Sequence, residues 1–434
     1  MLAVGIALVF IIILLLLEVP VAFVFGLASF FIAVVTGRDI DFLIPYAFQQ
    51  QSAFALLALP LFIIAGSLMG ASGISDRLIR FVNAFVGSIR GGLGAVTVVT
   101  CALFGAIAGS GSSAIAAIGS LMIPRMVEAG YPRSYAIALV ACSSVLAILI
   151  PPSVAMILFA ITSGLPVTAA FLSTVIPGIL IMAIYCVMNF FEARKFENLK
   201  VEERLGLPQR LVRIGGATRD AFWALLMPGI MLGGIYGGIF TPTEAAAVAL
   251  VYTLPVGIFI YKGLNFRTTT ASLTEGSRNT GAIMMMLFFL FIMSRVMVQE
   301  NVPREMAELM LSLTDNKIVL LMIINVLLLI IGMLVDDTAG AVLAAIVLLP
   351  VTTQMGVHPI HFAAIVGTNL GLGNVTPPCA PLLFMSGAIG GQTLDQYLKP
   401  ALKFMMLGHL PVVLLVTYIP DLALFLPRLL LGIG

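Results

Sequence analysis

Charge is the first thing this sequence is short of. Only 10% of its residues are Asp, Glu, Lys or Arg, against about 25% in a soluble domain, so a water-exposed globular fold is excluded. Histidine is scarce: His358, His361 and His409 complete the set, and they show no metal-binding spacing. The four cysteines, Cys101, Cys142, Cys186 and Cys379, sit in apolar surroundings without a C-x-x-C spacing. They read as helix-packing residues rather than a zinc site or a disulfide pair. No P-loop occurs, which excludes ATP-driven transport by this chain. A net charge of +2 gives no ground for nucleic-acid binding.

What is present is apolar length. Hydrophobic residues make up 61% of the 434, with a mean hydropathy of +1.14, and runs of about 18 or more recur from end to end. The expected fold is therefore an all-α polytopic membrane protein. Spans are expected at 2–17 and 19–36, joined by a turn at Glu18-Val19-Pro20, then at 52–69 after a short polar connection, 37–51. The first run, apolar from Met1, reads as a span and not as a cleaved signal peptide. Residues 73–90 carry Ile74, Leu78, Phe81, Val82 and Phe85 at helical spacing beside Arg77, Arg80 and Arg90, the pattern of an amphipathic interfacial helix. Further spans follow at 167–191, 222–236, 243–261, 281–298 and 402–418.

Two stretches interrupt this pattern. Gly109-Ser110-Gly111-Ser112-Ser113-Ala114 lies mid-way along the apolar run 92–126, and Pro151-Pro152 breaks 134–163. Both recur 226 residues later, as Asp336-Asp337-Thr338-Ala339-Gly340 within 318–355 and as Pro377-Pro378 within 359–389. Each arm flanking the first and third breaks is too short to span comfortably, so 92–126 and 318–355 are expected to be re-entrant hairpins. Pro124 and Pro350, Gly130 and Gly356, and Gly164 and Gly390 keep the same offset. The chain thus reads as repeat 1 (1–192), a polar cytoplasmic linker (193–219) and repeat 2 (220–434). Five spans per repeat is odd, so the repeats are inverted. Lys and Arg agree: with the linker inside, seventeen lie on its side and four on the other, placing both termini outside.

Irregular backbone at membrane depth is tolerated where it lines a cavity or is buried in protein. Carbonyls freed at a break can hold Na⁺, and half-helix N-termini favour an anion. A first sodium site is expected from Ser110, Gly111, Ser112, Ser113, Ser143, Ser144 and Pro151. The plainer reading of its serines is helix capping and close packing. A second is expected from Asp337, Thr338, Gly340, Asn369, Gly371, Gly373, Thr376 and Pro377. An acidic group inside a membrane marks function, although Asp337 also suits a helix cap and Asn369 and Asn374 an inter-helix hydrogen bond. Substrate contacts are expected from Ser112, Ser153, Asp337 and Asn374. Sodium is the only metal implied, as coupling ion and not as a resident cofactor. Thr241-Pro242-Thr243-Glu244 reads as a helix start.

Gly109–Ala114 with Ile123-Pro124, Gly130-Tyr131, Ile150-Pro151-Pro152-Ser153, Thr241-Pro242-Thr243-Glu244-Ala245-Ala246, and Asn369 through Thr376-Pro377-Pro378 resemble the large membrane subunit of tripartite ATP-independent periplasmic (TRAP) transporters, most closely the sialic-acid branch. The resemblance implies a non-enzymatic, sodium-coupled elevator in the bacterial inner membrane, with a transport domain holding both hairpins and a scaffold. Stretches 73–90 and 262–279 would be its arms. It also implies a separate four-helix membrane subunit, a periplasmic substrate-binding protein and a carboxylate cargo, sialic acid first and a C4-dicarboxylate next. The alternative within transport is a stand-alone anion or dicarboxylate carrier of related fold. An intramembrane protease fits poorly: Ser110 has no histidine base in any obvious position, and an aspartyl enzyme needs aspartates from different helices.

Overall fold

With no water to satisfy bare N–H and C=O groups, an apolar chain in lipid closes its hydrogen bonds within helices. The computed structural model describes residues 2–17, 19–37, 41–200, 206–314 and 316–433, and all regular structure among them is helical. Eight helices among the described residues are long and apolar enough to cross a bilayer. The chain is a multi-pass membrane protein. Glu18 of the expected turn, Arg38, and 201–205 of the expected linker, Arg204 included, lie outside the described residues.

The first hairpin comprises Gly92–Ala108 and a second arm that runs from Gly111 to Glu128 through a π-helical turn, Ile115–Gly119. Gly109 ends the first arm at φ +63°, a left-handed conformation that suits glycine. The second hairpin comprises Lys317–Leu334 and an arm from Asp337 to Gln354, again with a π-helical turn, Ala344–Leu348. Its break is shorter than expected. Asp336 caps the helix, so Asp337, Thr338 and Gly340 belong to the first turn of the second arm and not to an open tip.

Arg133–Ser144 packs between both arms of the first hairpin, and Pro359–Gly373 packs against both arms of the second. Helix resumes after the Pro-Pro breaks as Val154–Ser163 and Pro381–Gly390. Every residue from Tyr135 to Leu149 is buried. The apolar stretch of Arg133–Ser163 is 83% buried, against 44% for that of Phe266–Gln299, so the broken helix and not a continuous span forms the centre. A second group of helices packs mainly on itself: Val21–Val35, Ala58–Ala71, Pro242–Pro255 and Phe266–Gln299, with Leu207–Tyr236 against Ile74–Val86.

Three polar stretches are more ordered than their composition predicts. The connection 37–51 contains the helix Leu43–Gln51. The helix Leu207–Tyr236 begins inside the expected linker. Stretch 262–279 is not a separate arm: it forms the start of one 34-residue helix, Phe266–Gln299, capped by Asn265 and Thr268. Polar side chains do not end a helix where a cap is present and no proline intervenes. In chain order, the short amphipathic helix preceding the second hairpin is instead Val302–Leu313. Ile74–Val86 forms as expected, with Ile74, Leu78 and Val82 buried but Phe85 41% exposed. Thr241 and Glu244 close a reciprocal cap on Pro242–Pro255.

Gly105 in the first hairpin lies directly against the backbone of Ala147 in the broken helix, leaving no room for a side chain. Gly105→Val is expected to lower stability by about 1–3 kcal/mol through overpacking, read as a lower unfolding temperature in detergent. An unchanged unfolding temperature would show that the two helices do not approach this closely.

Candidate binding site between the two hairpins

Ser110 occupies the N-cap position of the first hairpin's second arm, but its hydroxyl makes no cap bond to the backbone. Instead Ser110 Oγ and Ser112 Oγ lie 2.9 Å apart. Capping therefore does not explain these serines. The tip is fastened to the neighbouring break: Val154 N donates to Gly109 O at 3.2 Å. A side chain at Gly109 would meet the Pro152 carbonyl, and Gly111 lies against the Ser144 carbonyl.

At the second tip the two aspartates divide the work. Asp336 is the cap: its Oδ1 accepts from Ala339 N at 3.1 Å, its other oxygen accepts from the Thr338 hydroxyl, and its carbonyl accepts from Gly340 N at 2.9 Å. The capping role weighed for Asp337 thus falls to its neighbour. Asp337 has no ion-pair partner among the described residues, and its carboxylate lies beside the backbone N–H groups of Asp337 and Thr338.

Both tips face one cavity of about 300 Å³. Ser110, Ser112 and Ser113 line it from the first hairpin and Asp336, Asp337 and Thr338 from the second. Asn374, Val154 and Pro381 complete it from the two breaks. Four helix N-termini, at Gly111, Val154, Asp337 and Pro381, therefore converge on one space. The halves also interlock: Gly111 abuts Leu382, and Val154–Ser163 packs on Asp337–Leu343.

Three of the expected ligands carry a buried oxygen with no hydrogen-bond partner among the described residues: Ser143 Oγ, Ser153 Oγ and Asn374 Oδ1. A buried unpaired polar group is costly, and a cation is one way to satisfy it. No three His, Cys, Asp or Glu side chains gather among the described residues. The donors on offer are hydroxyl, amide, carbonyl and carboxylate oxygens, the set suited to a hard cation.

Of Ser143, Ser153 and Asn374 only Asn374 lines the cavity; Ser143, Ser153 and the remaining expected residues lie outside its wall. Asn369 Nδ2 donates to Asn325 Oδ1 at 2.8 Å and to Ile365 O at 2.9 Å, and Asn325 Nδ2 donates to Thr417 Oγ1 at 3.0 Å. That amide thus ties Pro359–Gly373 to the second hairpin. Gly371 packs on Val145 and His409, Gly373 on Gly332, and Gly340 on Leu370. The Thr376 hydroxyl donates to Leu372 O at 2.7 Å, and that of Ser144 to Ala141 O at 2.7 Å. Pro151 is buried in the first break and Pro377 half-buried in the second.

Sequence reasoning missed the wall supplied by Phe266–Gln299 and Ala58–Ala71. Asn279 and Ser67 line the central cavity, and Ser272, Glu275 and Asn279 line an adjoining one of about 550 Å³ shared with Ser112 and Ser113. Ser272, Glu275 and Asn279 stand at i, i+3 and i+7, one helical face, so their spacing carried the signal.

A family model described as "Tripartite ATP-independent periplasmic transporter, DctM component" matches residues 8–422. The chain belongs to this family. The DctM-family chain is 36% identical over 408 residues to an isethionate TRAP transporter permease protein of Oleidesulfovibrio alaskensis, covering 94% of this chain and 64% of that relative's length. It is 35% identical to a C4-dicarboxylate TRAP large permease protein of Pseudomonas aeruginosa (88% of each) and 32% to a sialic acid TRAP large permease protein of Vibrio cholerae (96% of each). A crystal structure of the Alcanivorax borkumensis YdaH transporter shares the fold, with a TM-score of 0.62 at 16% identity over 87% of this chain and 88% of that one.

The division between the aspartates is testable. Asp336→Ala removes a cap and is expected to lower stability by about 0.5–2 kcal/mol, whereas Asp337→Ala leaves the unfolding temperature in sodium-free buffer close to the parent. Equal losses for both would contradict the assignment.

Proposed function

We propose that this chain is the large membrane subunit of a sodium-coupled importer of an organic acid, residing in the bacterial inner membrane. The observation that carries the proposal is the convergence of four helix N-termini and Asp337 on one cavity. Helix N-termini stabilise an anion. Asp337 repels one. The two demands are reconciled when Na⁺ sits among the orphaned oxygens and offsets the Asp337 charge. Cargo affinity then depends on sodium, and by linkage sodium affinity depends on cargo. Ser112, Ser153, Asp337 and Asn374 are the proposed cargo contacts. Ser143 with the first tip and Asp337 and Thr338 with the second are the proposed ion contacts.

The proposed mechanism is an elevator. The hairpins with their broken helices are the transport domain, and the self-packed outer helices are the scaffold. The inverted-repeat reading draws support from element order. At the offset of 226, Val21–Val35 overlaps the continuous helix Pro242–Ile260, Ala58–Ala71 falls within Phe266–Gln299, and Ile74–Val86 falls on Val302–Leu313. The two short amphipathic helices are thus the proposed arms, with both termini periplasmic. The cargoes for which the relatives are named, isethionate, C4-dicarboxylate, sialic acid and 2,3-diketo-L-gulonate, are all small organic acids. Sialic acid holds no advantage of identity among them. A periplasmic binding protein and a small membrane subunit are the proposed partners.

Reconstitution in proteoliposomes with both partners tests this reading. Uptake of labelled cargo is expected to require an inward Na⁺ gradient and the binding protein. Undiminished uptake in K⁺ alone removes the coupling, and undiminished uptake without binding protein favours a stand-alone carrier. Ser112→Ala and Asp337→Ala are expected to shift the Na⁺ titration of uptake to higher concentration; superimposable titrations would reduce both side chains to structural roles.

A further inference from the structure

A larger cavity, about 570 Å³, lies away from the hairpin tips. Arg90, Arg194, Arg210 and Arg213 line it, with Ser88 and Phe190 among the remaining wall. It forms where three elements meet: the turn after Ile74–Val86, the end of Val167–Ala193 and the start of Leu207–Tyr236.

Three of the guanidinium groups, those of Arg90, Arg194 and Arg210, are held in place by uncharged groups. Arg90 Nη2 donates to Phe196 O at 2.8 Å and Nε to Ala193 O at 3.4 Å. Arg210 Nη2 donates to Phe85 O at 2.8 Å. Arg194 stacks on Phe190, 4.4 Å from the ring centroid. Carbonyls and rings orient these cations but carry no charge, and no carboxylate lines the cavity among the described residues. The nearby Glu192 is already engaged with Lys195 and Lys403. Arg90, Arg194 and Arg210 each keep further N–H groups, whose fork matches the oxygens of a phosphate.

The surroundings identify the source of that phosphate. Beside the arginines, Phe191 is 56% exposed, Leu211 68% and Val212 76%. A soluble anion gives such side chains nothing to bury against, whereas acyl chains do. Basic pockets between membrane helices on the cytoplasmic side suit anionic lipid headgroups.

We propose that this arginine cavity is a binding site for the phosphate headgroup of an anionic phospholipid, with the acyl chains lying along Phe191, Leu211 and Val212. The site joins Val167–Ala193, which packs in the hairpin core, to Leu207–Tyr236 of the outer group. Which leaflet supplies the lipid rests on the topology proposed above; headgroup binding is measured without it, so either can fail alone.

Native mass spectrometry of the purified full chain in detergent, titrated with phosphatidylglycerol or phosphatidylcholine, tests the site. Phosphatidylglycerol is expected to be retained and phosphatidylcholine not. Arg90→Gln/Arg194→Gln/Arg210→Gln is expected to weaken phosphatidylglycerol retention by about tenfold or more. A matched variant elsewhere, Arg267→Gln/Arg278→Gln/Lys399→Gln, is expected to retain it within about twofold, which separates a built site from loss of basic charge. Lysine at the same three positions is expected to restore part of the binding if the folded site is intact. Equal retention of both lipids, or equal loss in the two variants, overturns the proposal. Displacement of the lipid by millimolar inorganic phosphate overturns the lipid as the source.

Discussion

The structure depends on one constraint: backbone opened inside a membrane must find partners. Four such openings, the two hairpin tips and the two Pro-Pro breaks, occur among the described residues, and each is satisfied differently. Gly109 turns left-handed and hands its carbonyl to Val154 N–H. Asp336 caps the second hairpin with its own side chain. Asn374 O takes the Leu382 N–H at 3.2 Å. The first Pro-Pro break is buried against the first tip. The first hairpin tip and the first Pro-Pro break seal each other, the second tip and the second break close on groups of their own, and residues of all four openings line one space. The cavity follows from how the breaks are sealed.

Sealing one break with another also explains the packing around it. Hairpin tips can approach the broken helices only where side chains are absent. Gly105 against Ala147, Gly111 against Ser144 and Gly332 against Gly373 are such approaches. Because each tip also touches the opposite half, Gly111 at Leu382 and Asp337–Leu343 at Val154–Ser163, a ligand in the cavity would touch both halves together. That geometry suits a domain that moves as one body around its load. The outer helices contribute Asn279 and Ser67 to the same wall and so form the surface past which such a body would travel.

Much of this was legible in the residues. Glycine and serine at 109–113, the acidic pair at 336–337 and the two Pro-Pro steps contradict their apolar surroundings, and such local conflict marks function. The breaks were therefore placed to within a few residues. Harder to read was which member of a local group does which task. Asp336 and Asp337 are chemically alike, and only the path of the backbone decides that the first caps and the second faces the cavity. Asn369 differs from Asn374 because Asn325, 44 residues away in sequence, claims its amide. The helix Leu43–Gln51 and the start of Leu207–Tyr236 were hidden for another reason. Their polar residues signal water, and helix ends in water still fold when tertiary contacts hold them.

Equilibrium binding of ²²Na⁺ to the purified chain tests the central claim most directly, that oxygens gathered by the two breaks hold a cation beside Asp337. Saturable binding displaced by unlabelled Na⁺ but not by equal K⁺, and lost in Asn374→Ala, is the predicted result. Absence of saturable binding, or binding indifferent to Asn374→Ala, would contradict it.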